Sequence, residues 1–379
     1  MKYLVYILSV GSLIGSYYKI APGISYEDIA CVLLFIISLF NFIEHKWKVD
    51  RFCKLTALYI PFMILPALIN GDLTNTVFIN YFRNYTWGVV VYFALSNTLD
   101  SERDIKKLLL IGVAFFVVFA LNFRMLMQSS FSENINTIDF EYGRNNVAFT
   151  ALLFSLLFEF LYYSKLVKSY ILLGIVLMIV IIVFSASRFS MMMLVISYLL
   201  FRILSHKKIT WSEILTIVVL VIVGPLIYDY ILSFVDSSFY ENSQNFLNKK
   251  MNGALDDFWY TRIIGINVNP IKNAFSTDGA LFLLMGKPLA VQHSFFSHSL
   301  ITTGLAGWLI YLISNYKLLK WSYHYKGVYI FLFITILVML TNDFITNARF
   351  IIGVNSVFYS SLCAIVYRYI VVNEHLNIS

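Results

Sequence analysis

From Lys168 to Arg188 the chain reads K-S-Y-I-L-L-G-I-V-L-M-I-V-I-I-V-F-S-A-S-R, with nineteen consecutive uncharged residues between the two cations. At 1.5 Å of rise per residue such a run makes about 28 Å of helix, close to the roughly 30 Å of a bilayer's hydrocarbon layer. It has no polar face, so as a soluble helix it would need burial on every side. Similar apolar runs recur from one end of the chain to the other. Of the 379 residues, 59% are apolar and 13% charged. A soluble domain carries roughly 25% charged residues and at most about 50% apolar ones. The excess does not fit one large core, because cores stop growing near roughly 250–300 residues. The expected fold class is therefore an all-α, polytopic membrane protein. A soluble enzyme, a nucleic-acid-binding module and a secreted disulfide scaffold are excluded.

Working outward from that segment, about twelve spans of about 20 residues each are predicted. They lie near 3–20, 26–43, 52–70, 76–98, 106–127, 145–163, 168–186, 189–205, 213–235, 294–315, 328–346 and 350–372. Residues 1–379 read as a single integral membrane domain, with no internal repeat and no matched halves. Two connections are long: 128–144, and above all 236–293, polar enough to form a small extramembrane element. Orientation follows from Lys and Arg in the short loops. With the N-terminus inside, Lys2, Lys46, Lys48, Arg51, Lys54, Arg103, Lys106, Lys107, Lys165, Lys168, Arg202, Lys207, Lys208, Lys317, Lys320, Lys326 and Arg368 all fall on the cytoplasmic side. The other side has only Lys19, Arg144, Arg188 and Arg349 in short connections or at span ends. Both termini are then cytoplasmic, and the 236–293 loop faces outward. The net charge of +7 follows from the same rule and needs no anionic partner. No small-residue cleavage site follows the first apolar run, so no cleavable signal peptide is expected. Cys31, Cys53 and Cys363 lie in or beside apolar runs and read as small core residues.

The arginines break the pattern. Of ten, only Arg51, Arg103, Arg202 and Arg368 are cytoplasmic; Arg83, Arg124, Arg144, Arg188, Arg262 and Arg349 lie on, or point toward, the outer leaflet. Arginine suits bidentate phosphate recognition, whereas lysine is a hydrated point charge. Arg83, in Y-F-R-N-Y, lies inside a span, where an ionisable side chain costs about 2.5–3.5 kcal/mol and faces an interior cavity. Snorkelling, or pairing with outer acids such as Asp139, Glu141 and Asp343, is the plainer alternative for any one of the six. Taken together they point to an outward-facing anion site.

Three short stretches accompany them. S-A-S-R, Ser185–Arg188, ends a span on the outer side. H-S-F-F-S-H-S-L-I-T-T-G-L-A-G-W, His293–Trp308, opens a span and places Gly304 and Gly307 at offsets of 11 and 14 from the first histidine. Y-G-R-N-N-V-A-F, Tyr142–Phe149, opens another. In these motifs, in their order and in their side of the membrane, the chain resembles the O-antigen polymerase and O-antigen ligase family of bacterial envelope glycosyltransferases. That family has a Ser-x-Ser-Arg stretch at a span end and a long outer loop closed by a histidine with a Gly-x-x-Gly pair downstream. Ser294 stands where the family usually has Asn, and Phe189 where Gly is common, which leaves ligase and polymerase undivided.

The resemblance implies a GT-C-like helical fold in the bacterial inner (plasma) membrane, acting on polyprenyl-diphosphate-linked oligosaccharides as donor and acceptor. Transfer at the extracytoplasmic face would invert the anomeric carbon. It also implies a chain-length regulator as partner. Chemistry agrees: the leaving diphosphate gathers negative charge that fixed arginines in a poorly hydrated site would stabilise. The activated lipid supplies the energy, so no cofactor is needed, and no phosphate-loop or dinucleotide glycine pattern is present. By position, Arg188 matches the family's Ser-x-Ser-Arg arginine, Arg262 in Y-T-R-I-I-G its loop arginine, and His293 its histidine. A histidine near its usual pKa of about 6.5 can take the proton of an attacking hydroxyl. His298 is the rival, on a different helical face, and either histidine would also serve as an interfacial hydrogen-bonding residue. Arg83 and Arg124 are further substrate-binding candidates. Arg144 and Arg349 would bind phosphate or guide the acceptor glycan, and Asn146 would orient a sugar or cap its helix.

No metal site is expected. Glu27 and Asp28 fall in the first outer loop, but adjacent helical side chains point about 100° apart, poor for chelating one ion, and acids are favoured at a helix start. Asp256 and Asp257 share that weakness. A flippase for the same lipid-linked glycan would also want outward arginines, but lacks support from matched repeats or deep intramembrane charge. A purely structural subunit would not explain the one-sided arginines.

Overall fold

A computed structural model describes residues 1–15, 19–21, 24–69, 73–74, 76–101, 103–112, 114–115, 148–159, 171–184, 188–204, 295–323, 330–345 and 353–368. The described part is 90% helical and of the all-α class. The elements are α1 (Lys2–Gly15), a ribbon of β1 (Lys19–Ala21) and β2 (Ile24–Ser25), α2 (Tyr26–Ile43), α3 (Arg51–Ala57), α4 (Tyr59–Ile69) and α5 (Thr76–Ser96). After them come α6 (103–112), α7 (Ala148–Glu159), α8 (Ile171–Phe184), α9 (Arg188–Leu204), α10 (Phe295–Tyr323), α11 (Ile330–Ile345) and α12 (Gly353–Val366). The span expected over 213–235 and the connections 128–144 and 236–293 lie outside the described residues. Two compact units divide the chain. The first holds Met1–Val117, Trp259–Tyr325 and Ile336–Ser379; the second holds Val118–Phe258 and Lys326–Thr335.

Local chemistry sets the element ends. The first span, expected over 3–20, stops as helix at Gly15, and Lys19 and Ala21 pair antiparallel with Ser25 and Ile24. A Cβ on Gly15 would sit 2.6 Å from the Glu27 backbone nitrogen, so only glycine lets α1 approach the start of α2 this closely. Ser25 is extended and caps α2, and the Asp28 carboxylate accepts from the Ser25 backbone N–H at 2.8 Å and hydroxyl at 3.0 Å, as in a capping box. Asp50 caps α3 by accepting from the Cys53 N–H at 2.7 Å. The span expected over 52–70 matches the apolar stretch Arg51–Ile69, in which regular helix lapses only at Leu58, where Pro61 has no N–H to give the carbonyl of Ala57.

In the first unit α5 packs along α12 and α2, α1 lies on α2 and α12, and α10 lies on α4 and α3. The core at this last junction is Tyr59, Met63, Tyr81, Tyr85, Ile310 and Tyr311. Polar rungs join α10 to its neighbours: Tyr311 donates to Asp343 Oδ2 at 2.9 Å, and Tyr359 donates to Asn315 Oδ1. Cys31, Cys53 and Cys363 are all buried, as a core role requires. The outer face of α2 is different. Ile29, Leu33, Ile36, Phe40 and Ile43 are each more than 40% exposed, an apolar stripe that water does not favour. Tyr26–Ile43 and Arg51–Ile69 are both long and apolar enough to cross a membrane. In the second unit α8 packs on α9, and Phe201 stacks on Phe331 with ring centroids 4.1 Å apart.

One end of the first unit collects residues that the charge rule places in the cytoplasm. Lys2 Nζ lies 2.6 Å from Asp100 and 3.3 Å from Asp104, Lys48 N–H donates to Asn97 at 2.9 Å, and Arg368 donates to the Ser96 carbonyl. Burial opposes ionisation of Asp104, but hydrogen bonds from the Asp100 N–H, the Ser101 hydroxyl and Lys2 outweigh it, so its pKa falls below the usual 3.8. The unfolded chain therefore holds that proton more tightly. Its contribution to stability is full above about pH 4–5 and is lost as pH falls through the folded value. Asp104→Asn is expected to lower stability at pH 7 by on the order of 1 kcal/mol, after allowing for the exposed Lys2 partner. Thermal melts in detergent should show the gap to wild type narrowing below about pH 4; a constant gap would refute the assignment.

Candidate functional site

Arg83 is the one candidate arginine whose side chain is described. It projects from α5 in the same direction as Trp87, four residues on, toward the start of α2. Its Nε lies 3.5 Å from Asp28 Oδ1, with the arginine side chain 30% exposed and the aspartate 14%. Trp87 Nε1 donates to the same Oδ1 at 3.0 Å. Asp28 is thus engaged at both oxygens, by Ser25 on one and by Trp87 and Arg83 on the other. This ion pair joins α5 to α2. Asp139 and Glu141 lie outside the described residues; the pair seen is the one with Asp28.

Glu27 points elsewhere. It is 3% exposed and sits on the buried stripe Glu27, Cys31, Leu34, Ser38 and Asn41 that lies against α1. Its Oε1 has no hydrogen-bond partner among the described residues. The two consecutive acids therefore diverge, as the 100° step between neighbours demands. No group of three His, Cys, Asp or Glu side chains gathers as a cation site among the described residues.

The histidine-bearing stretch is anchored by hydroxyls. α10 begins at Phe295, which puts the His298 backbone in its first turn. The next residue, Ser299, is fully buried, and its hydroxyl shares a 2.8 Å hydrogen bond with the Tyr59 hydroxyl of α4. Tyr59 in turn shares a 3.0 Å bond with the Tyr81 hydroxyl of α5. Thr303 donates to the Ser299 carbonyl at 2.6 Å. The helix then breaks at Gly304, whose φ of 67° and ψ of −176° belong to backbone that only glycine adopts readily. A Cβ on Gly307 would press into the Thr303 side chain and lie 3.1 Å from Phe62 Cβ. The two glycines picked out by spacing thus have separate jobs: one turns the chain, the other lets α10 close on α4.

Arg188 is the first residue of α9 and belongs to the second unit. Arg124, Arg144, Asn146, Arg262, His293 and Arg349 lie outside the described residues, as do Ser185–Ser187. Among the described residues a small cavity of about 30 Å³ is lined by Phe52, Thr56, Tyr85, Tyr92, Tyr359 and Cys363. It has room for a water molecule or two, not for a sugar ring.

Sequence reasoning did not single out Trp87, Tyr59, Tyr81 or Ser299. The pairing of Asp28 with Ser25 was readable as the S-x-x-D spacing of a helix start. For Tyr59 no sequence signal existed, since its partner Ser299 is 240 residues away. Comparison with protein-family models, with curated proteins and with solved structures returns no match.

Proposed function

We propose that the protein is a polysaccharide polymerase that transfers a polyprenyl-diphosphate-linked glycan onto the hydroxyl of another lipid-linked repeat unit. In this reading the chain crosses the bacterial plasma membrane about twelve times with both termini in the cytoplasm, in a GT-C-like arrangement, and the reaction runs at the outer face. The observation that carries it is in the sequence: under the expected topology six of the ten arginines, but only five of the eighteen lysines, fall on the outer side. Supporting it are the Ser-x-Ser-Arg and His…Gly-x-x-Gly stretches, together with the conformational demand for glycine at 304.

The acceptor hydroxyl attacks the anomeric carbon from the face opposite the diphosphate, forming the new glycosidic C–O bond with inversion. The bond from that carbon to the phosphate oxygen breaks, and its electron pair leaves with the lipid diphosphate. His293, or its rival His298, takes the hydroxyl proton. Arg188 and Arg262 meet the charge that develops on the diphosphate. Arg83, Arg124, Arg144, Arg349 and Asn146 hold substrate.

The test is reconstitution with synthetic undecaprenyl-diphosphate repeat units. Elongated lipid-linked products are expected. Glycan passed only to an added lipid-core acceptor would make the protein a ligase, which shares the chemistry and differs in acceptor. Movement of the lipid-linked unit across proteoliposomes with no new glycosidic bond would make it a transporter and end the enzymatic reading.

A further inference from the structure

Resting on the transfer reaction just proposed, we infer that Tyr59, Tyr81 and Ser299 are positioning residues, a buried hydroxyl chain that sets the direction of the first turns of α10 against the Arg83-bearing helix. The break at Gly304 makes such an anchor necessary. Residues Phe295–Thr303 form a helical segment of nine residues, too short to hold its own geometry and cut off from the rest of α10 by the non-helical backbone at Gly304. Its orientation must come from side contacts. The Ser299 hydroxyl supplies one, in a place where an unpartnered hydroxyl would be costly.

The far end of the chain is equally placed. Tyr81 and Arg83 are two residues apart on α5, so their side chains diverge by about 200°. Tyr81 faces α4, and Arg83 faces α2. One helix therefore relates the segment that carries His298 to the arginine and its Asp28 partner. Tyr59, Tyr81 and Ser299 are 2%, 6% and 0% exposed. Apolar residues would fill the same space, so the hydroxyls contribute direction rather than bulk.

Tyr85 supplies the control. It belongs to the same aromatic core and packs against Tyr59 with ring centroids 4.9 Å apart and planes tilted by 38°, but its hydroxyl donates to the Thr56 carbonyl at 2.7 Å. In the reconstituted polymerisation assay, Tyr59→Phe and Ser299→Ala are each expected to lower kcat about 10- to 100-fold per folded molecule, with donor KM little changed. The double variant should lose no more than Tyr59→Phe alone, which already removes the bond to Ser299 along with that to Tyr81. Tyr85→Phe should keep kcat within about twofold while losing similar thermal stability. Amide exchange over 295–303 should quicken in Tyr59→Phe and Ser299→Ala but not in Tyr85→Phe, a readout independent of activity. Equal kcat and equal exchange in Tyr59→Phe and Tyr85→Phe would overturn the inference. A wild type that makes no new glycosidic bond would instead overturn the transfer reading, and the exchange arm then decides the anchor by itself.

Discussion

Arg188→Ala is expected to reduce glycan transfer by about 10²–10³-fold or more while the protein accumulates to near-normal levels. The magnitude is that of removing a fixed donor from a site where charge develops in the transition state. A departing diphosphate presents oxygens that a guanidinium can grip in pairs, and Arg188→Lys, which loses the fork but keeps the charge, should recover only part of the rate. The position adds to the side chain. Arg188 opens α9, a helix of seventeen residues, so the positive end of the helix dipole lies at the same point. Among the described side chains of this helix the buried ones are Ser190, Met193, Ser197 and Phe201, none of which the substitution alters. The measurement is initial rate with the synthetic donor, normalised to monodisperse protein. Full activity in Arg188→Ala, Arg262→Ala and His293→Ala together would overturn the site assignment.

What could be read in advance depended on whether a signal was local. Where the structure describes an expected span, an apolar run was legible as helix: 26–43 coincides with α2, and 189–205 lies within a residue of α9. Ends were misread where a nearby residue intervened. The first helix stops at Gly15, where it meets the Glu27 backbone, and nothing in the sequence marks that approach. The arginine at 83 was legible as a charge out of place. Its partner was not, because Asp28 is 55 positions away and pairing across helices leaves no periodic trace. The Gly-x-x-Gly spacing was visible as a motif, but the reason for it, a positive φ at one position and a close helix approach at the other, exists only in three dimensions.

Gly304→Ala is the second large effect to expect, and here the loss comes from the backbone. At φ 67° and ψ −176° an L residue meets its own carbonyl and Cβ sterics, at a cost of about 1–3 kcal/mol that no trimming of neighbours can relieve. The variant either bears that strain or straightens α10, and straightening would pull Ser299 away from Tyr59. Both routes lead to a thermal midpoint several degrees lower in detergent. The second route also lowers kcat by at least as much as Tyr59→Phe does. Gly112→Ala is the matched comparison: among the described residues a Cβ there would meet nothing within 4 Å, and its helical backbone suits alanine. It should leave the midpoint unchanged or raise it by up to about 1 kcal/mol equivalent. If Gly304→Ala melts and turns over like Gly112→Ala, the segment ahead of Gly304 is not held by a glycine-dependent break, and the role given to the Gly-x-x-Gly pair fails with it.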